Sequence, residues 1–387
     1  MLKTRSKAAA FILLLLLLTG LFTGGPALAV ETIRVALAPD RPSVTITGSP
    51  DLVFTTPDGR LFSDELTSPV EILAGLQGLT FQGKPTEILE LIASSADGDI
   101  HLNDLSVGGV LHIVLYHNKL RLINELDVEE YLKGVVPIEI SAHWHPEALK
   151  VQAIIARTYV LYQRQVNLGK EYDVLATTAD QVYGGRKGEH PAADQAVAET
   201  SALVLTFEGE LVLSAYHSTS AGPTEDAAEV WGTGLPYLKG VSCPFDQSSP
   251  YYQWSKSFLM DAVQDAFSKA GYTVGTIASI TPFRWTEAGR VGQLRLLHSQ
   301  GELILKAEDL RRILGYTELP STRFRIEKIG REIQIRGNGY GHGVGLCQWG
   351  AKEMAEMGYS YDKILKYYYP GVRVEPYSSM SADEPSP

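Results

Sequence analysis

The sequence is short of cysteine and of clustered positive charge, and each shortage narrows the reading. Cys243 and Cys347 are the only cysteines in 387 residues. So few exclude a disulfide-dense scaffold, and two thiols far apart in sequence are poor evidence for zinc, whose ligands recur at short spacings. Lys and Arg number 34 against 45 Asp and Glu, a formal net charge of −11. Beyond Lys7 no basic cluster remains, which argues against nucleic acid or an anionic membrane surface as partner. No internal repeat occurs, and the only low-complexity run is N-terminal. There is no Gly-x-Ser-x-Gly elbow, so a serine hydrolase is left only as a third reading, built on His217 with Ser218 or Ser220.

What is present begins with "MLKTRSKAAAFILLLLLLTGLFTGGPALAVE". Lys3, Arg5 and Lys7 precede an unbroken apolar run from Ala8 to Leu18, and Ala27-Leu28-Ala29 offers the small residues of a cleavage site. Residues 1–29 read as a signal peptide. An uncleaved membrane anchor is the alternative, although a span needs about 20 apolar residues. Either way the chain is expected to be exported. In an oxidising compartment Cys243 and Cys347 could join, and closing so long a loop contributes roughly 4–5 kcal/mol in the chain-entropy model. Two buried free thiols are the other reading.

Residues 30–122 alternate short apolar runs with turns: "IRVALA", "SVTIT", "LVFTT" before Pro57-Asp58-Gly59, and "LHIVLY" and "KLRLI" about His117-Asn118. This is a β-rich platform without evident chemistry. From Ile123 the pattern mixes helix and strand, giving an α+β fold class and a second region over 123–375. The tail 376–387 reads as disordered. Asp127 caps a helix, Glu130 completes a capping box and Gly134 marks its end. Pro146 opens a longer helix that stops at Gly169. Pro191 to Ser201 and Ser257 to Ala270 read as further helices, "LVLTF-EGE-LVLSAY" as a hairpin. Strand-like runs follow at 293–298, 302–305, 324–329 and 332–336.

The chemistry concentrates on Glu139, in "GVVPIEISAHWHPEALK". Val136 is held extended by Pro137, so residues 135–140 read as a rigid connector between two helices. Apolar neighbours, Ile138 and Ile140 included, should desolvate the carboxyl and raise its pKa, as proton donation to a glycosidic oxygen requires. Pairing with Lys150 or Arg157 is the competing, structural reading. A hydrolase would want a second carboxylate. Asp180, Glu225, Asp226 and Glu229 are available, none in an equally apolar setting, so the solitary acid favours a substrate that supplies its own nucleophile. Trp144, Tyr159 and Tyr183 supply flat faces for sugar rings. His217 and His342 are each flanked by small residues; holding loops together and contacting substrate are equal readings for them. The run "GNGYGHGVG" lacks the βαβ context of a dinucleotide site and reads as an extended segment under a ligand or another backbone. His143 and His145 have no third ligand nearby, so no metal and no cofactor are expected.

Four motifs in order, "INELDVEEYLKGVVPIEISAHWHPEALKVQAIIARTYVL", "TTADQVYGG", "AYHSTSAGPTEDAAEVWGTGLPYLKGV" and "GNGYGHGVGLCQWGAKEMAEMGYSYDKILKYYYPGV", resemble the SpoIID/LytB family over about Ile123 to Val372. The resemblance implies a peptidoglycan lytic transglycosylase with Glu139 as catalytic acid, cutting glycan strands denuded of stem peptides and leaving 1,6-anhydro ends. It also implies substrate contact by Arg157, Tyr159, Gln181, Tyr183, His217, Ser218, Tyr237, His342 and Gln348. Other members enhance amidases, so a wall-binding module that stimulates a cell-wall amidase is the rival. Some members bind zinc through Cys and His ahead of the "QVY" motif, where "LATTADQVY" has neither. Cys243 and Cys347 flank the groove the family leads one to expect.

Overall fold

In the computed structural model the described residues are 31–377, apart from 38, 49–50, 63–68, 97 and 104. The expected signal peptide or anchor, and the tail beyond Tyr377, lie outside them. Among the described residues no helix is long and apolar enough to cross a membrane. Helices are α1 (Val128–Glu139), α2 (Pro146–Val166), α3 (Pro191–Glu199), α4 (Ala227–Trp231), α5 (Met260–Lys269), α6 (Ala307–Leu314), α7 (Gln348–Glu356) and α8 (Tyr361–Tyr368). With the sheets they make the α+β architecture expected.

The N-terminal alternation folds into two six-stranded sheets. One orders strands 174–175, 32–36, 119–127, 110–116, 90–94 and 53–55; the other orders 84–85, 79–81, 70–74, 43–48, 100–102 and 105–107. Period-two burial sends Ile33, Val35, Val44, Ile46, Leu111 and Ile113 into one core. His117 and Asn118, at φ 46° and 59°, make the two-residue turn joining Val110–Tyr116 to Lys119–Asp127. That last strand spans the expected boundary at 122/123, and its core is continuous with α1, α2 and α3.

Helix α1 begins as expected, with the Asp127 carboxylate accepting the N–H groups of Glu129 and Glu130. Glu130 does not close a capping box; its carboxylate pairs with Arg186 and Lys133. The expected stop at Gly134 and the connector over 135–140 are both corrected. The helix runs through Gly134 and Pro137, so Glu139 is its last residue. Gly134 serves close packing: a Cβ there would lie 2.7 Å from the Tyr183 ring, and its carbonyl accepts Gly184 N–H at 2.9 Å. Pro137 forfeits one backbone bond near the helix end, where burial of Tyr131, Leu132, Val135 and Val136 outweighs it.

Helix α2 is shared by two cores. Leu149, Ala153, Ala156 and Val160 face the N-terminal core, whereas Ala148, Val151, Ile154 and Ile155 face a second built with α7 and α8. It ends at Val166, ahead of Gly169. A third core holds α5, α6 and the sheets 254–259/332–337/324–329 and 277–285/291–298/301–306. There the helix expected from Ser257 starts only at Met260, because Trp254–Leu259 alternates in burial and pairs with Glu332–Gly337. A cleft of about 620 Å³ lined by Trp254, Trp285, Arg323, Arg325 and Arg336 belongs to this third region.

Arg157, 1% exposed, sits on α2. It donates two hydrogen bonds to Glu129, at 2.7 and 2.6 Å, and two more to the carbonyls of Leu203 and Val197, at 3.1 and 3.3 Å. Removing the carboxylate leaves a guanidinium buried without its counter-charge. Glu129→Gln is therefore expected to lose about 3–5 kcal/mol of unfolding free energy, measured by urea denaturation followed by circular dichroism.

Candidate active site

Glu139 stands at the carboxyl end of α1, where the helix dipole disfavours negative charge. Its backbone turns extended at the cap, Ile140, whose N–H returns to Val136 O. Ile140 is buried, but Ile138 is 45% exposed and packs over Gly184 and Gly188, so it does not desolvate the acid as expected. The enclosure comes from residues distant in sequence. Glu139 Oε1 accepts the backbone N–H of Val182 at 2.9 Å, and the side chains of Tyr216 and Gln348 lie close enough to the carboxyl to favour its charged form. Gln348 Nε2 reaches Gln152 Oε1 at 3.2 Å and Glu139 O at 3.4 Å. Burial is the largest influence and pushes the Glu139 pKa up, against the lowering effect of Val182 N–H, Tyr216 and Gln348.

These donors are themselves ordered in one direction. Tyr131 hydroxyl donates to Gln181 Oε1 at 3.2 Å, and Gln181 Nε2 donates to the Tyr216 hydroxyl at 3.2 Å. The Tyr216 proton is then free to point at Glu139. Tyr216 is the site residue that sequence reasoning passed over. Its signal was adjacency to His217 in "AYHSTSAG", which drew notice to the histidine instead. Strand Tyr216–His217 pairs in parallel with Leu346–Cys347, so the same ladder delivers Tyr216 and Gln348.

Tyr159 stands beside this group, its hydroxyl donating to Asp180 Oδ1 at 2.8 Å. Burial, then the charge of Asp180, and less strongly that of Glu139, push its pKa up. Asp180 Oδ2 accepts Leu175 N–H, so both its oxygens are engaged. The other candidate second carboxylates have separate tasks: Glu225 accepts from Thr286, Asp226 caps α4 and Glu229 pairs with Arg284. Neither cation of the competing reading reaches Glu139, because Lys150 pairs with Glu147 and Glu199 and Arg157 with Glu129. Trp144 and Trp349 meet edge to face at 5.2 Å, bringing together the loop after α1 and the start of α7.

Of the expected substrate contacts, Gln348, Gln181 and Tyr159 lie in this neighbourhood and Ser218 is half-buried beside it, its carbonyl accepting Trp349 N–H. Others are corrected. Arg157 is enclosed in its ion pair. Tyr183 is a core residue against Tyr131, with its hydroxyl on Asn124. Tyr237 packs on Phe207 and accepts from Leu213 N–H. His217, 4% exposed, links loops through Val344 O and Ser220 Oγ, at 3.1 and 2.7 Å. Its backing group is a carbonyl, not an acid, and Ser220 is wholly buried, so a serine triad is not assembled. His342 lies between His217 and Trp231; burial, with Arg311 and Arg290 adding, lowers its pKa to about 3. The glycine run is not extended: Gly339, Gly341, Gly343 and Gly345 have φ of 80°, 110°, 86° and 70°. A Cβ on Gly345 would lie 2.0 Å from Ala215 O, so the run is pressed on the backbone that carries Tyr216. Cys243 and Cys347 are buried free thiols, not a disulfide. His145 caps α2 and His143 meets His190 edge to face.

The family model described as stage II sporulation protein matches residues 116–207, which include Glu139, Tyr159, Gln181 and Val182. Stage II sporulation protein D of Bacillus amyloliquefaciens is 34% identical over 280 residues, covering 68% of this chain and 78% of the relative. The chain belongs to the SpoIID family. Within it, an uncharacterized protein of Brachyspira hyodysenteriae is 32% identical over 294 residues, 76% of this chain and 78% of that one. A protein named amidase enhancer, of Bacillus subtilis, is 32% identical over 292 residues, 64% of this chain but 40% of its own length. A domain of unknown function matches residues 238–345, the stretch that contains the third core. The SpoIID model therefore covers α1 to the hairpin, whereas Tyr216 and Gln348 come from beyond it.

A raised folded-state pKa means the folded chain holds the Glu139 proton more tightly than the unfolded chain. That contribution is full below the unfolded value and is lost as pH rises through the folded one. Glu139→Gln keeps an oxygen for Val182 N–H and removes the charge. The variant is expected to melt above wild type at pH 8, with the gap closing towards pH 4; a constant gap across that range would contradict the assignment.

Proposed function

We propose that this SpoIID-family chain is an exported lytic transglycosylase that cuts the glycan backbone of peptidoglycan, with Glu139 as general acid and then base. The observation that carries the reading is the Glu139 carboxyl: half-buried, raised in pKa, held by the Val182 N–H beside Tyr216 and Gln348, and among the described residues unpaired with any cation. In the proposed cycle protonated Glu139 gives its proton to the bridging oxygen as the bond from that oxygen to the anomeric carbon breaks. The carboxylate left behind takes the proton of the same sugar's C6 hydroxyl, whose oxygen closes on the anomeric carbon. The product is a 1,6-anhydro end. No water enters and Glu139 finishes protonated, so a second carboxylate is not required.

The neighbours fit supporting roles. Val182 N–H fixes one carboxyl oxygen, leaving the other to face the substrate, while Tyr216 and Gln348 stabilise the carboxylate formed midway. Trp144 and Trp349 offer aromatic faces at the mouth. Residues 123–375 are proposed as the cleaving unit on the platform of 30–122, with denuded glycan strands as the preferred substrate. The second reading, a wall-binding module acting on a cell-wall amidase, is favoured by the amidase enhancer among the relatives. The two separate on one comparison.

Wild-type protein incubated with denuded glycan strands is expected to yield anhydro-muramyl ends, detected by mass spectrometry. Glu139→Gln is expected to lower their rate of formation by about 10²–10⁴-fold while still binding the strands. Reducing ends in place of anhydro ends would mean hydrolysis, and binding without any cleavage by wild type would leave the enhancer reading.

A further inference from the structure

Away from Glu139, three side chains converge that no step of the proposed cycle uses. The sulfurs of Cys243 and Cys347 and a carboxylate oxygen of Asp246 lie within 4.8 Å of one another. Their residues are 2%, 0% and 0% exposed. Cys347 Sγ is 3.3 Å from Asp246 Oδ2 and accepts the backbone N–H of Ser220 at 3.3 Å. Asp246 Oδ2 also accepts Ala221 N–H at 2.7 Å. The other oxygen, Oδ1, is buried with no hydrogen-bond partner. Among the described residues no Lys, Arg or His pairs with this carboxylate. A carboxylate out of water with an idle oxygen costs several kcal/mol in order of magnitude unless a cation or proton answers it.

We propose that Cys243, Asp246 and Cys347 form a structural site for a soft divalent cation, zinc being the ion that fits. Two thiolates and one carboxylate select zinc over magnesium or calcium, which prefer all-oxygen shells. Metal–ligand bonds of about 2.0–2.3 Å put the corners of a tetrahedral site roughly 3.5–3.8 Å apart; Cys347 Sγ and Asp246 Oδ2 stand at 3.3 Å and all three atoms lie within 4.8 Å. Loading expels the two thiol protons, so thiolates and carboxylate hold the ion, and the fourth corner falls to water or to the Tyr368 hydroxyl, 3.2 Å from Cys243 Sγ. The N–H of Ser220 is placed as thiolate ligands require. Space is reserved as well, since a Cβ on Gly350 would lie 2.1 Å from the Tyr368 hydroxyl and 2.8 Å from Cys243 Sγ. The linear sequence argues against zinc because the cysteines are remote and no third ligand is evident. The fold supplies both the approach and the aspartate.

Such an ion would tie the loop at 243–246 and the start of α7 to the strand bearing Tyr216, and so hold Tyr216 and Gln348 against Glu139. The proposal does not depend on whether the chain cleaves glycan. The full chain, purified under reducing conditions and stripped with a chelator, would be titrated with Co²⁺. The expected result is a thiolate-to-cobalt charge-transfer band that saturates at one cobalt per chain, is displaced by Zn²⁺ and is lost in Cys243→Ser and Asp246→Asn. Should a variant not fold by circular dichroism, the wild-type titration decides alone. Absence of the band while both thiols still react in the unfolded chain would overturn the site. So would finding both thiols unreactive in a chain two hydrogens lighter, because a disulfide leaves no thiolate to bind the ion.

Discussion

The geometry around Glu139 depends on an ion pair whose cation is taken out of water. Arg157 joins Glu129 at the start of α1 to the carbonyls of Val197 and Leu203, and thereby locks α1, α2, α3 and the strand Leu203–Phe207 together. Such a pair adds little net stability over a well-packed apolar pair of the same volume, yet it fixes direction as few apolar contacts do. Ten residues on from Glu129, roughly 15 Å along a helix, α1 ends at Glu139. Rotating or sliding α1 would move the acid, and the four hydrogen bonds of one guanidinium oppose both motions.

At the far end of that helix opposing influences meet on one carboxyl. Burial and the helix terminus favour the neutral form; Val182 N–H, Tyr216 and Gln348 favour the charged one, and burial prevails. In the proposed cycle Glu139 gives up a proton and takes one back, and that role needs both kinds of neighbour. Enclosure alone would make the carboxylate inaccessible, while donors alone would make the proton easy to lose before substrate arrives. Asp180, with Tyr159 on one oxygen and Leu175 N–H on the other, shows what a carboxylate in the same neighbourhood does when its capacity is spent on structure.

Features governed by adjacent residues were readable from sequence. The cap at Asp127, the proline opening of α2 and the turn at His117-Asn118 each follow from local geometry, and the order of the motifs revealed the family. Elsewhere local signals were overruled. Gly134 and Pro137 look like the end of a helix, but Tyr183 needs the glycine's missing side chain and apolar burial carries the helix past the proline. Arg157 has the chemistry of a substrate contact, and only the partner 28 residues earlier shows it spent inside. Tyr183 and Tyr237 were misread for a related reason, since an aromatic ring suits a core as well as a sugar. Tyr216 escaped because nothing nearby in sequence indicates that its hydroxyl meets a glutamate on another element.

The contact between Gln348 and Glu139 spans 209 residues of chain. The surroundings of Glu139 are therefore complete only once α7 has packed beside α1, whereas Val182, 43 residues on from Glu139, supplies its hydrogen bond much earlier in the chain.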